Sequence, residues 1–156
     1  MTYEYEDPYR YTLSREIPAL GNEGTVLFVM LNPSTADALV LDPTVRRCAG
    51  FATDWGAGSF EVTNVFALRS TDPAGLRQVG DPVGGGNDEA IVAAALAADQ
   101  VICAWGIRAE HLGRHRAILD LLVGAGIAPL ALRLTKSGLP GHPLYVPRSA
   151  RPFRFN

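Results

Sequence analysis

The sequence predicts an α/β fold: a three-layer α/β/α arrangement around a central, mostly parallel sheet of about four strands, with an extra strand at the N-terminal edge. Three observations predict it. Short apolar runs alternate with segments of helical pattern, and that alternation is what βαβ units with right-handed crossovers produce. The first of these runs, Val26 to Leu31, is apolar at all six positions, as in a strand buried on both faces. The Asp42-Pro43 pair that follows is a helix start, an N-cap acid with proline at the first helical position.

Taken in order, residues 9–17 (YRYTLSREI) alternate well enough for a strand, expected at the sheet edge. Residues 18–24 form a turn, and 25–31 the first buried strand. Pro33 cannot donate to a ladder and ends that strand. Asp37 is read as another cap. A helix is expected from Asp42 to near Gly56, then a strand over 60–66 (FEVTNVF). Residues 67–86 read as a long Gly/Pro loop, the kind that is usually functional or mobile. Asn87 or Asp88 is expected to cap a helix through Ala98. A strand over 100–105 (QVICAW), a helix over 109–123 and a strand over 128–134 complete the alternation. The tail from 135 to 156 is read as irregular and the segment 1–24 as an N-terminal strand extension, within a single domain spanning 1–156.

Composition narrows the function classes. The chain has 156 residues, enough to bury a real core. Its net charge of −2 argues against strong nonspecific binding to nucleic acid. The basic residues are thirteen Arg and a single Lys, and Arg suits planar, bidentate recognition of phosphate. No apolar run approaches the roughly 20 residues of a membrane span, and the acidic, aromatic start MTYEYEDPYRY is not a signal peptide. Cytoplasm is therefore the expected location. Cys48 and Cys103 offer neither a disulfide framework nor zinc spacing and are read as buried small hydrophobes. The expected cofactor is none.

Candidate site residues cluster at strand ends, where open α/β sheets place ligands. Asn32 follows the first buried strand, and its amide can donate and accept at once. Pro33, Ser34 and Thr35 continue that turn and can present backbone N–H groups to an anion or a base edge. Asn64, between Thr63 and Val65, is costly in a buried strand unless its amide is satisfied, a cost that ligand recognition would explain. Trp105 is read as core. His142 lies between Pro140 and Pro143, and a histidine in so stiff a loop can donate to a carbonyl or an oxyanion. Arg69 follows the second strand and can clamp a phosphate, and Lys136 can meet one. Arg148, Arg151 and Arg154 flank Phe153 and are candidates for a nucleic-acid backbone. Asp42 is read as a helix cap; Arg46, beside it, opposes the helix dipole. His111 and His115 lie four apart on an expected helix, but no third ligand is evident, so no metal site is expected. GGGND at 84–88 is neither a Walker loop nor a dinucleotide fingerprint.

The segments LNPSTAD, DPTVRRC, NVFALRSTDP, AWG and PGHPLY, in that order between Tyr9 and Tyr145, resemble a bacterial family known as a domain of unknown function. The order of motifs is also similar to the uracil-DNA glycosylase superfamily. That resemblance implies a uracil-DNA-glycosylase-like sheet and gives the residues roles. Asn32-Pro33 matches an Asn-Pro motif whose Asn positions the attacking water. Asn64 occupies the place of an Asn that reads a pyrimidine edge. His142-Pro143-Leu144-Tyr145 resembles a His-Pro-Ser motif whose His faces the base carbonyl, and Phe51 or Trp55 takes the place of the aromatic that stacks on the base. Leu31 and Ser34 stand where that motif carries glycines, and no Ser follows Pro143. The implied function is hydrolysis of an N-glycosidic bond on a base in nucleic acid, with DNA or a nucleotide-like small molecule as partner. Two other classes fit the same residues: an enzyme on free nucleotides or nucleosides, and a binding module without chemistry.

Overall fold

In the computed structural model, residues 2–6, 8–34 and 42–156 are described. In chain order the strands are β1 (Thr2–Glu6), β2 (Tyr9–Glu16), β3 (Thr25–Met30), β4 (Ser59–Asn64), β5 (Gln100–Cys103), β6 (Leu130–Ala131) and β7 (Phe153–Arg154). The α-helices are α1 (Pro43–Asp54), α2 (Asn87–Ala97) and α3 (Arg114–Gly124). The strands form one sheet in the order β1-β2-β4-β3-β5-β6-β7. The four central strands β4, β3, β5 and β6 pair in parallel. β1 with β2, β2 with β4 and β6 with β7 are antiparallel. The sheet is therefore mixed, not mostly parallel as expected. The reason lies at its flanks. Residues 2–6 form a further strand, so β2 is an inner strand and β1 the edge, and the Pro-rich tail contributes β7 at the opposite edge.

The apolar continuity of β3 has a direct structural meaning. Leu27, Val29 and Leu31 enter one core cluster with Ile91 and Ala95 of α2 and Ile118 and Leu122 of α3. Val26, Phe28 and Met30 enter another with Val45, Cys48 and Phe51 of α1. Strand side chains alternate between faces, so a strand packed by helices on both sides has no polar face to show.

Asp42 caps α1 as the sequence indicates, accepting from the Val45 N–H at 2.8 Å, with Pro43 following. α2 departs from expectation: its cap is Gly86, and neither Asn87 nor Asp88 serves. The long loop at 67–86 holds a short 3₁₀ helix, Pro73–Gln78, capped by Asp72. The expected helix over 109–123 divides into a 3₁₀ segment, Ile107–Gly113, and α3. His111 (ψ 130°) and Leu112 (φ 55°) leave helical geometry at the join. That break removes the helical spacing of His111 and His115. Among the described residues no group of side chains suited to a metal ion is present, and no helix is long and apolar enough to cross a membrane.

From β3 the chain pairs β4 on one side, then crosses to place β5 on the other. The carboxyl ends of β3 and β5 thus flank a topological switch point, where the two crossovers leave a crevice.

Candidate functional site

A cleft of about 530 Å³ opens at those strand ends. Residues 30–34 from the end of β3, Asn64 from β4 and residues 105–108 after β5 form its floor and one wall. The start of α1, the loop at Ser70 and Thr71, and the turn at His142, Leu144 and Tyr145 close the rest, with Arg10 of β2 at the side.

Asn32 holds two of these segments together. Its Nδ2 donates to the Pro33 carbonyl at 3.0 Å and to the Ser70 carbonyl at 2.9 Å. The Ser70 N–H returns a bond to the Pro33 carbonyl at 2.9 Å. Two carbonyl partners require the NH₂ group, so the amide orientation follows from the network. Only Oδ1, an acceptor, remains for a ligand or a water.

Asp42 does double duty. While Oδ1 caps α1, Oδ2 accepts from the Ser34 hydroxyl at 3.0 Å. The carboxylate therefore lines the cleft at a helix N-terminus, where the dipole favours negative charge. Sequence reading found only its capping role. A cap residue that also faces a strand-end crevice carries no distinguishing sequence signal.

His142 is brought to the cleft by backbone bonds. The Gly106 N–H donates to the Pro140 carbonyl and the Gly141 N–H to the Arg133 carbonyl, both at 2.8 Å. Its Nδ1 accepts from the Leu144 N–H at 3.3 Å and caps the short helix Pro143–Tyr145. Nδ1 as acceptor puts the proton of the neutral ring on Nε2. Burial holds the imidazole below its ordinary pKa, while the negative charge of Asp42 pulls it back up. Both the bond and the burial keep the ring neutral, with an Nε2–H to donate. Tyr145 stands over it, ring centres 5.8 Å apart, and is 78 % exposed at the rim.

The floor carries unpaired polar atoms. Asn64 is 2 % exposed, and its Oδ1 is buried with no hydrogen-bond partner among the described residues. Trp105, as buried as a core residue, lines the same cleft with its indole Nε1–H also unpartnered. Buried polar atoms without partners are uncommon and cost about 1–3 kcal/mol each.

The other expected residues are dispersed. Pro33 and Ser34 line the cleft; Thr35, like Asp37, lies outside the described residues. Phe51 is fully buried in the core beneath α1, and Trp55 packs on it and on Phe28 with ring centres 5.4 and 6.0 Å away. Neither lines the cleft, because the inward face of α1 spends both on core packing. Arg69 and Lys136 are exposed outside the lining. Arg148 is tied to Asp54 by bonds of 2.8 and 3.3 Å, Arg151 is exposed beside that pair, and Arg154 belongs to β7 at the sheet edge. The cleft's own arginines are Arg10 and Arg108, which the sequence did not single out.

A family described as protein of unknown function (DUF1643) matches residues 10–144. The chain belongs to this family. The match takes in the described wall and floor of the cleft almost entirely, leaving only Tyr145 of the named lining beyond its end. No curated protein and no solved structure is significantly similar to the chain.

Proposed function

We propose that the cleft binds a nucleobase and that the chain hydrolyses the N-glycosidic bond of a base in nucleic acid, on a three-layer scaffold of the uracil-DNA-glycosylase kind. The observation that carries the reading is Asn64: an amide 2 % exposed, on the cleft, with a buried oxygen that nothing among the described residues satisfies. An amide pairs naturally with the donor–acceptor edge of a base. A base turned out of its stack would reach it with its edge on Asn64, under the exposed ring of Tyr145.

The chemistry follows from the other walls. The neutral His142 donates Nε2–H to a carbonyl of the base, stabilising the negative charge that develops as the C1′–N bond breaks and its electron pair leaves with the base. Asn32 accepts from a water through Oδ1 and aims it at C1′. Asp42 takes the water's proton as the new C1′–O bond forms, and its charge opposes the positive charge growing on the sugar. The departing base is protonated from solvent.

A second reading, action on a free nucleoside or nucleotide, is favoured by one observation. Arg148 is already paired with Asp54, and none of Arg148, Arg151 and Arg154 lines the cleft. The test is base release from single- and double-stranded oligonucleotides carrying uracil, hypoxanthine, mismatches and modified pyrimidines, beside the matching free nucleosides and nucleotides. Release from oligonucleotides that disappears in Asp42→Asn establishes the first reading. Release from the free compounds alone establishes the second, and release from neither, with wild type and variant alike, refutes both.

A further inference from the structure

We infer that Asn87 and Arg114 are positioning residues whose task is to fix Asn64 at the cleft; the inference rests on the proposed role of Asn64 as the base-reading amide. β4 runs out at Asn64, and the peptides beyond it donate to β3 and the turn after it: the Val65 N–H to the Met30 carbonyl at 2.8 Å, and the Phe66 N–H to the Leu31 carbonyl at 3.0 Å. The carbonyls of Asn64 and Val65 are taken up by side chains instead. Asn87 Nδ2 donates to the Asn64 carbonyl at 2.8 Å and to the Val65 carbonyl at 3.3 Å. Arg114 Nε donates to the Val65 carbonyl at 2.8 Å, and its guanidinium is held from behind by Asp88 at 2.6 Å.

The placement is unusual in three respects. Asn87 is the first residue of α2 and Arg114 the first of α3, so two helices start at one strand end. Asn87 is completely buried, and its own Oδ1 finds no partner among the described residues. Arg114 is also buried, 7 % exposed. Burying a guanidinium and an amide to hold two carbonyls is expensive when water or a simple turn would satisfy the same groups. What the arrangement adds is rigidity at the one backbone position from which the Asn64 amide projects. A recognition group that is loose by about 1 Å loses much of its discrimination.

The test reads Asn64 directly. In ¹⁵N-labelled protein the Asn64 side-chain amide pair is assigned by its disappearance in Asn64→Leu. Asn87→Leu should displace or broaden that pair and leave the Asn32 pair, bonded to Pro33 and Ser70, in place. Arg114→Lys, which keeps a cation for Asp88 but loses the planar Nε–H, should displace it less. Affinity for whichever of uracil, thymine, cytosine, adenine, guanine and hypoxanthine the wild type binds should fall at least tenfold in Asn87→Leu and less in Arg114→Lys. A residue that merely supported the fold would lower the melting temperature without singling out the Asn64 resonance. If Asn87→Leu does not fold, Arg114→Lys alone decides. An unmoved Asn64 pair in a folded variant overturns the inference. Wild-type protein that binds none of the six bases overturns the base-reading role, and the inference resting on it, even where the resonance moves.

Discussion

Replacing Asn64 with Leu should make the protein more stable and inactive at once. The side chains have the same number of heavy atoms and the same branching, with Leu the bulkier, and the backbone carbonyl of Asn64 keeps its bond from Asn87 Nδ2 because no side-chain atom of Asn64 takes part. What the substitution removes is the buried Oδ1 that has no partner. An unsatisfied buried polar atom costs about 1–3 kcal/mol. Leu also places apolar surface among Val62, Met30 and Leu31 at the cleft floor. Allowing for some misfit of the branched chain, the gain is about 1 kcal/mol. For a chain of this length, unfolding entropy near 2.1 cal/mol/K per residue makes that about 3 °C in melting temperature. Calorimetry on both proteins gives the first number and the base-release assay the second. An Asn64→Leu protein that melts lower than wild type and still releases base would refute the reasoning. The amide would then be a packing element of the cleft floor and not its reading group.

Other substitutions probe the remaining walls. Asp42→Asn should keep α1 intact, since Asn caps as well as Asp, yet lower base release about a hundredfold or more for want of a proton acceptor; a melting temperature within a degree or two of wild type alongside full activity would remove Asp42 from the chemistry. The depressed pKa of His142 means the folded state resists protonating it. Stability should therefore be fully present above the unfolded value near 6.5 and decline as pH falls from there toward the folded value. His142→Asn should flatten that limb in a pH series of thermal melts, and an unchanged slope would show that other groups set it. Arg148→Ala breaks an exposed pair with Asp54 and should leave both stability and oligonucleotide affinity nearly unchanged; a clear loss of affinity would restore the tail as a nucleic-acid contact. Burial pushes the thiols of Cys48 and Cys103 well above their ordinary pKa, so both should resist alkylation at neutral pH until the protein unfolds, as mass spectrometry of labelled protein would show.

Much of the fold was legible because the central strands are buried on both faces. Runs such as Val26–Leu31 and Val101–Ala104 carry the short, unbroken apolar pattern of a strand buried on both faces, and Asp42-Pro43 marks a helix start by local chemistry alone. The flanking strands were harder. Residues 2–6 and 153–154 gain their strand character from the neighbour they pair with, which a local pattern does not record. In the site, Asn32, Asn64 and His142 stood out because each breaks an apolar or Pro-rich context. Asn87 did not. It sits where a helix cap is expected, and only the fold shows that its amide reaches back 23 residues to Asn64. Phe51 and Trp55 erred in the opposite direction: an aromatic near a motif looks like a platform until the helix face it shares is known to point into the core.

The antiparallel flanks also set how the molecule yields to force. β1 and β7 lie at opposite edges of a seven-stranded sheet, about 29 Å apart at 4.8 Å per strand. Tension applied between those edge strands acts across the hydrogen bonds and opens them one ladder at a time, from the outside inward. β1 and β7 would peel first, then β2 and the two-residue β6. The trio β4, β3 and β5, which carries the cleft, would be the last to part, so in an optical trap the sheet should come apart in small steps with ligand still held through the early ones.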